Sequence, residues 1–320
     1  MSPTRPIPPQ RRHIQRSPRQ IGLRGAVLAM LVLVGCSGGN AAGGSAGDGE
    51  TPCVSPVRNV ISVAYDQVSG VDPNLLSVDV YRLDQSCASR PVLFWVHGGG
   101  WSVGDKANNM DQKASLAARN GWVLVSVNYR LSTPATPVMW PTHGNDVNAA
   151  ISYVLDHASD YGIDPERVGV MGHSAGGQLA AIVTVDDSYQ RETIDCLVAL
   201  DTEGYDLNSK MDSNEGQAKE MVVRAFGSDP AVLAGASPTL VAAAGSAPIA
   251  DALIVARGSD TRRRLASEFH DAMLAAGSIS SIVVADGYTH AQVNEVIGDP
   301  NDTVVSRPTE SFLKTCLAKT

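Results

Sequence analysis

Residues 168–177, Val-Gly-Val-Met-Gly-His-Ser-Ala-Gly-Gly, form the stretch that decides the fold. Residues 168–172 are a short apolar run that predicts a buried strand, and residues 176–184 are apolar and compatible with a helix. Glycines on both sides of Ser174 permit a sharp turn between strand and helix, which exposes the serine hydroxyl. Because a Gly-x-Ser-x-Gly spacing alone also arises by chance, the strand before it and the helix after it are what make Ser174 a candidate nucleophile.

Strands and helices alternate on both sides of this stretch. Residues 91–97 and 122–128 are nearly continuous apolar runs, typical of strands that are buried on both faces of a sheet. Further predicted strands are residues 196–200, 252–256 and 281–285, and predicted helices are residues 111–120, 146–156, 262–276 and 309–318. The alternation predicts an α/β fold with a mostly parallel central sheet and helices on both faces.

Two segments depart from this alternation. Residues 57–65 and 76–83 have the pattern of strands joined by a turn at 70–74, and they predict an antiparallel N-terminal hairpin at one edge of the sheet. Residues 202–249 are rich in Gly, Ala, Ser and Asp, with one helical stretch near 217–226. This insertion is long enough to form a small cap over the ends of the strands.

A glycine-rich loop, His97-Gly98-Gly99-Gly100-Trp101, directly follows the strand at 91–97. Consecutive glycines allow a turn whose backbone N–H groups point to one place, where they can hold an oxyanion. The loop could also be no more than a tight turn. With the serine turn nearby, we expect the amides of Gly99, Gly100 and Ala175 to form an oxyanion hole.

A carboxylate and a histidine follow the last two strands. Asp260 comes after the strand at 252–256, and His290 comes after the strand at 281–285. Since open α/β sheets place their sites at the carboxyl ends of the strands, we expect Ser174, Asp260 and His290 to meet there. Neutral imidazole would take the serine proton, and the carboxylate would fix its tautomer. Asp286 is the alternative acid, although it lies on the same strand and loop as the histidine.

Several motifs in one order resemble the α/β-hydrolase superfamily. They are HGGGWSVGDK (97–106), VNYRLS (127–132), YGIDPERVGVMGHSAGG (161–177), GYDL (204–207), the GSDT around Asp260 and the histidine of GYTH. The chain is most similar to esterase and lipase families with an HGGG oxyanion loop, such as hormone-sensitive-lipase-like enzymes and polysaccharide-associated acetyl or feruloyl esterases. The resemblance implies the α/β-hydrolase fold, the chain order Ser-Asp-His for the triad, a small cap, and neither a metal nor a cofactor.

These residues predict a serine hydrolase that cleaves carboxylic esters of short or medium acyl groups, with a small-molecule or glycan-linked ester as substrate. Trp101 and Tyr205, together with Met139 and Trp140, could line the pocket, although each could instead pack in the core. An amidase or formamidase is the second hypothesis, and a non-catalytic binding lipoprotein on the same fold is the third. A net charge of -8 and a pI near 5.3 argue against a nucleic-acid partner.

The N-terminal region has the composition of an export signal. Six arginines precede residue 25, and the apolar run at 25–34 is too short to span a bilayer. Leu33-Val34-Gly35-Cys36 resembles the lipobox of bacterial lipoproteins, in which the cysteine becomes the lipid-modified N-terminus. We therefore expect a signal peptide at 1–36, a flexible tether at 37–52, a hydrolase domain at 53–320 and a lipid anchor in the bacterial cell envelope. A cleaved or uncleaved anchor without lipid is the alternative.

Four cysteines remain after Cys36 is set aside, and an even number in an exported chain implies disulfides. Cys53 and Cys87 flank the two ends that the predicted hairpin brings together. We therefore expect the pair Cys53–Cys87, which leaves Cys196–Cys316 by elimination. Free buried thiols are the alternative.

Overall fold

One mixed β-sheet organises the computed structural model, which describes residues 57, 59–83, 89–189, 194–212, 216–245 and 250–318, with the backbone alone at 216–218. Its eight strands have the order β1-β2-β4-β3-β5-β6-β7-β8. The strands are β1 (Asn59–Ala64), β2 (Ser77–Arg82), β3 (Arg90–Val96), β4 (Val123–Val127), β5 (Ile163–His173), β6 (Cys196–Leu200), β7 (Asp251–Ala256) and β8 (Ser280–Val284).

The strand pairing agrees with the prediction from the sequence. β1 pairs antiparallel with β2, and β2 pairs antiparallel with β4, so the N-terminal hairpin lies at one edge of the sheet. From β4 through β3, β5, β6 and β7 to β8, every pair is parallel. The carboxyl ends of these six strands therefore lie along one edge, where open α/β sheets form their sites.

Helices connect the parallel strands. Those before the insertion are α1 (Asp111–Arg119), α2 (Thr142–Asp156), α3 (Ala158–Tyr161) and α4 (Ala175–Val185). The insertion between β6 and β7 contributes α5 (Leu207–Asp212), α6 (Gly216–Phe226), α7 (Pro230–Gly235) and α8 (Pro238–Ala244). The last three are α9 (Asp260–Ala275), α10 (His290–Glu295) and α11 (Ser306–Leu317).

Both faces of the sheet are buried against helices, and β3 shows how the sequence achieves this. Val92, Phe94 and Val96 belong to one hydrophobic cluster, which includes apolar residues of α2, α4 and α9. Leu93 and Trp95 point to the opposite face and join a second cluster with residues of α1, α10 and α11. Because successive strand residues face opposite sides, only a continuous apolar run can fill both layers. The predicted α/β fold with helices on both faces is confirmed.

The start of α2 differs from the prediction. The helix was predicted to begin at residue 146, but α2 begins at Thr142 and Asp146 is buried within it. Its carboxylate accepts hydrogen bonds from Arg130, with Nε at 2.8 Å from Oδ2 and Nη2 at 2.6 Å from Oδ1. A paired, buried aspartate is stable inside a helix, so this residue type does not mark the helix start here.

A disulfide joins Cys196 on β6 to Cys316 on α11, with a Cα–Cα distance of 6.0 Å. It ties the C-terminal helix to the centre of the sheet. The other expected pair, Cys53–Cys87, lies outside the described residues, as do the signal region, Cys36 and the tether. Within the described ranges, no helix combines the length and the apolar character that crossing a bilayer requires.

Candidate active site

Ser174 lies in a tight turn between β5 and α4. Its backbone has φ 55° and ψ −121°, a conformation that L-residues rarely adopt and that concentrates at functional sites. Glycine is required on both sides of it. A Cβ on Gly172 would lie 2.1 Å from the Gly176 oxygen, and a Cβ on Gly176 would lie 2.1 Å from the Val96 oxygen. The close approach of these backbones holds Ser174 at the carboxyl edge of the sheet.

A cavity of about 760 Å³ opens over this edge. Ser174, Asp201 and His290 line it, together with the glycine loop and residues of the insertion such as Leu207, Met221 and Val222. Its size falls within the range of small-molecule sites. The structure therefore brings the predicted serine and the predicted histidine to one cavity, from β5 and α10.

His290 is oriented by a carboxylate. Its Nδ1 lies 2.6 Å from Oδ2 of Asp201, a distance typical of a charge-assisted hydrogen bond. A carboxylate only accepts hydrogen bonds, so Nδ1 carries the ring proton and donates a hydrogen bond to Asp201. Neutral imidazole then has its lone pair on Nε2, which is the atom a general base needs.

The acid on His290 is not the predicted one. Asp260 was expected in this role, but it is exposed and forms the first residue of α9, where Ser259 accepts a hydrogen bond from the Arg262 N–H as the N-cap. An aspartate in the first turn of a helix is favoured by the macrodipole, which explains its position there. The alternative, Asp286, is also exposed and pairs with Arg263 at 2.7 Å.

Asp201 takes the role because of its place in the sheet. It directly follows β6, and its backbone N–H donates to the Val255 oxygen at 2.7 Å, which fixes it to β7. Its φ of 44° turns the chain at this point. The sequence carried the same signal that drew attention to Asp260, a carboxylate at a strand end, but strand ends alone do not tell which aspartate faces the histidine.

The Asp201 carboxylate is buried and held by two arginines. Its side chain is 2% exposed, and it accepts hydrogen bonds from Arg257 Nε at 2.6 Å and from Arg262 Nη1 at 2.9 Å. Burial alone would raise the pKa of this carboxyl group. The hydrogen bond from His290 and the charges of Arg262, His290 and Arg257 outweigh burial and hold the pKa below its usual value.

Candidate backbone donors line the same cavity as Ser174. Gly99 and Gly100 have φ of +116° and +57°, and both line the cavity with Ala175. Among the described residues, none of these three N–H groups donates a hydrogen bond, whereas the Gly99 oxygen accepts from Ser102 and Val103 at 3.1 Å. The turn of the loop is held by the hydrogen bonds that the Gly99 carbonyl oxygen accepts. The three N–H groups therefore remain available to an anion in the cavity.

His173, beside the nucleophile, has a different role. Its Nε2 lies 2.9 Å from the His290 backbone oxygen, so it donates to that carbonyl and supports the turn that carries His290. Burial, with the nearby His290 contributing, lowers the pKa of His173 to about 3. The His173 ring is therefore neutral near neutral pH, and its hydrogen bond supports the backbone at His290. It does not act as the base.

Two further histidines brace the structure around the cavity. Nδ1 of His97 donates to the Gly98 oxygen at 2.7 Å, and its ring stacks on Tyr129, which holds the glycine loop. His143 is buried in α2 and shares a 2.8 Å hydrogen bond with Ser132. Burial, followed by the charge of Arg130, lowers the pKa of His143 to about 4.

Of the four residues predicted to line the pocket, Trp101 alone lines the cavity. Trp101 lines it, and its Nε1 donates to Gln178 at 3.0 Å. Tyr205, in contrast, is not among the lining residues. It is buried in the core, where its ring stacks on Phe269 at 4.8 Å. The expectation for Tyr205 is therefore wrong, and the reason is that its ring packs against α9 in the core, although Leu207 two residues later does line the cavity. Met139 and Trp140 are likewise absent from the cavity lining.

His173, Asp201 and His290 also offer ligand atoms that lie within 4.8 Å of one another. The hydrogen bonds between them fit a metal poorly. One nitrogen of each ring is protonated, because it donates to Asp201 or to a carbonyl. Two guanidinium groups already neutralise the carboxylate and would repel a cation. The donor set suits a serine–histidine–aspartate arrangement better than a metal site.

Part of the chain is similar in sequence to known proteins. The model of the BD-FAE family matches residues 78–245, just over half of the chain. Among curated proteins, a probable carboxylic ester hydrolase LipM of Mycobacterium tuberculosis is 40% identical over 111 residues, 34% of this chain and 25% of LipM. Arylacetamide deacetylase of Oryctolagus cuniculus is 47% identical over 98 residues, 29% of this chain and 24% of that protein. The matched segment thus spans about a quarter of each relative.

Solved structures show the same fold over most of the chain. A hyperthermophilic esterase from Pyrobaculum calidifontis superposes with a TM-score of 0.64 at 23% identity, covering 82% of this chain and 86% of that one. A truncated carbohydrate esterase from gut microbiota gives a TM-score of 0.65 at 19% identity, covering 83% and 100%. At these identities the likeness establishes the α/β-hydrolase fold alone.

Proposed function

Because the chain belongs to the BD-FAE family, we propose that it is a serine hydrolase that cleaves carboxylic esters of short or medium acyl groups through an acyl-enzyme. The observation that carries the proposal is the 2.6 Å hydrogen bond from His290 to the buried Asp201, on the wall of the cavity that also holds Ser174. The names of the curated relatives, which are esterases and deacetylases, support an acyl-transfer reaction.

The first half of the reaction forms the acyl-enzyme. Nε2 of His290 takes the hydroxyl proton as Ser174 Oγ attacks the ester carbonyl carbon. Asp201 stabilises the imidazolium that results. The carbonyl oxygen becomes an oxyanion, which the N–H groups of Gly99, Gly100 and Ala175 stabilise. The C–O bond to the alcohol then breaks, and the imidazolium donates its proton to the leaving alkoxide.

The second half regenerates the enzyme. Water takes the place of the alcohol, and His290 removes its proton as the water oxygen attacks the acyl carbon. The same amides hold the second oxyanion. When it collapses, the C–O bond to Ser174 breaks, the serine recovers its proton from His290, and the carboxylic acid leaves. The residues that line the cavity supply the nucleophile, the base and the oxyanion donors of this cycle.

The cavity supports a small-molecule or glycan-linked ester as substrate. Val103 and Met221 line the cavity with accessible apolar side chains, in front of the buried Trp101, Leu207 and Val222, and they offer surface for an acyl group. Glu203, Lys210 and Arg262 give another part of the wall a charged character. An apolar part beside a polar part suits a molecule with an acyl group and a hydrophilic alcohol.

A panel of substrates tests the proposed reaction. We expect the protein to hydrolyse p-nitrophenyl acetate and butyrate, with lower kcat/KM on long-chain esters and on the matched p-nitroanilides. Release of p-nitrophenol, compared with release of p-nitroaniline, measures this preference. Faster turnover of the anilides or of formyl amides than of the esters would contradict the assignment and favour an amidase.

We also propose that residues 1–36 direct export and that Cys36 carries a lipid anchor, on the basis of the arginine-rich start and the Leu-Val-Gly-Cys sequence. These residues lie outside the described part of the chain. In a bacterial host that is fed labelled palmitate, we expect label on the wild-type protein and none on Cys36→Ser. Equal labelling of both proteins, or labelling of neither, would contradict the anchor.

A further inference from the structure

Two arginines clamp the carboxylate that orients His290. Arg257, just after β7, donates from Nε to Oδ2 of Asp201, and Arg262 on α9 donates from Nη1 to Oδ1. His290 donates to Oδ2 as well, so both carboxylate oxygens are occupied and one of them is shared. The two arginine side chains are 19% and 22% exposed. The clamp is therefore largely shielded from solvent.

Arg262 is itself held in place. Its Nε pairs with Glu203, and Glu203 pairs with the buried Lys210 on α5. The chain Asp201–Arg262–Glu203–Lys210 links the end of β6 to α9 and to the insertion. Because the guanidinium fork is engaged on two sides, Arg262 keeps one orientation toward Asp201.

The charges around His290 come from several elements. Asp201 and Glu203 are the acidic groups, Arg257 and Arg262 the basic ones, and His173 on β5 is neutral. Glu295 ends the helix that His290 begins. On α1, buried Lys113 donates to the Asn294 oxygen near the same helix end.

Protonation of His290 would add a positive charge close to both guanidinium groups. His290 Nδ1 and Arg257 Nε each lie 2.6 Å from the same oxygen, so the two charges would be neighbours. Arginine cannot lose its proton in a protein, so the guanidinium charges are present at every working pH and repel the imidazolium whenever it forms. Removing one guanidinium should make the imidazolium easier to form.

On the basis of the proposed triad, we propose that Arg257 and Arg262 are positioning residues that fix Asp201 on His290 and that oppose protonation of its imidazole through their positive charges. They act through Asp201 and do not contact the reacting atoms. Their effect has two parts. Orientation of the carboxylate supports kcat, and the positive charge disfavours the imidazolium form of His290.

The pH profile of kcat/KM on p-nitrophenyl acetate separates the two parts. We expect Arg262→Gln and Arg257→Gln each to move the acidic limb of the profile to higher pH by about one unit, because one neighbouring charge is lost. Arg262→Lys should return the acidic limb of the profile to near its wild-type position, since the positive charge is kept. Its kcat should recover only in part, because lysine lacks the planar guanidinium group that bonds both Asp201 and Glu203. Arg263→Gln is the matched control, because it removes the same charge one residue away, from an exposed pair with Asp286.

Thermal unfolding by circular dichroism identifies variants that do not fold, and each of the two arginines gives an independent result. An acidic limb that stays at the wild-type pH in the folded glutamine variants would overturn the proposal, as would an equal shift in Arg263→Gln. Failure of the proposed function is separate, since wild-type protein would then hydrolyse none of the esters at any pH.

Discussion

Ser174→Ala is expected to lower kcat for ester hydrolysis by about four to six orders of magnitude. The hydroxyl is the atom that forms the acyl-enzyme, and alanine leaves no other nucleophile in the turn. Residual activity would come from the amides and from binding alone. Because Ser174 Oγ makes no hydrogen bond with another described residue, its loss should not weaken the fold.

Initial rates on p-nitrophenyl butyrate, with thermal unfolding measured alongside, check this expectation. Ser115→Ala is a suitable control, because that serine is exposed on α1 and far along the chain from the turn. Activity of Ser174→Ala within a few-fold of the wild type would rule out Ser174 as the nucleophile.

Asp201→Asn is expected to lower kcat/KM by about three to four orders of magnitude. An asparagine amide can present an N–H to His290 where the carboxylate accepted one, and this would place the imidazole proton on Nε2. The nitrogen that must accept the serine proton would then be occupied. The substitution also removes the negative charge that stabilises the imidazolium.

Asp260→Asn is the matched comparison for this effect. Asp260 is exposed at the start of α9, so we expect activity within about two-fold of the wild type and a stability change of a few tenths of a kcal/mol. Asp286→Asn should behave in the same way, because its only described partner is the exposed Arg263. A large loss in Asp260→Asn, with Asp201→Asn nearly intact, would restore the assignment made from the sequence.

Local patterns in the sequence predicted much of the fold and part of the site. Continuous apolar runs gave β3, β4 and β6 to within one residue of their bounds, because a strand buried on both faces is composed almost entirely of apolar residues. The turn at Ser174 and the loop at Gly99 were visible because only glycine permits such backbone approach. His290 was predicted because it follows the last strand of the sheet, and the structure places it at the cavity beside Asp201.

The acid and part of the pocket wall could not be read in this way. Asp201, Asp260 and Asp286 all follow strands, and only the packing of β6 against β7 turns Asp201 toward the imidazole. The start of α9 at Asp260 depends on the capping by Ser259, which takes that aspartate away from the cavity. Tyr205 was expected at the cavity, yet its ring packs on Phe269 in the core.

The rate at which a fluorophosphonate modifies Ser174 is the most direct test, because it reports nucleophile activation without knowledge of the natural substrate. Mass spectrometry of the modified peptide locates the adduct, and its time course gives the rate. We predict a single adduct on Ser174, equal rates for wild type and Asp260→Asn, and a rate about three orders of magnitude lower for Asp201→Asn. Unmodified wild-type Ser174, or equal modification rates in Asp201→Asn and wild type, would contradict activation by His290 and Asp201.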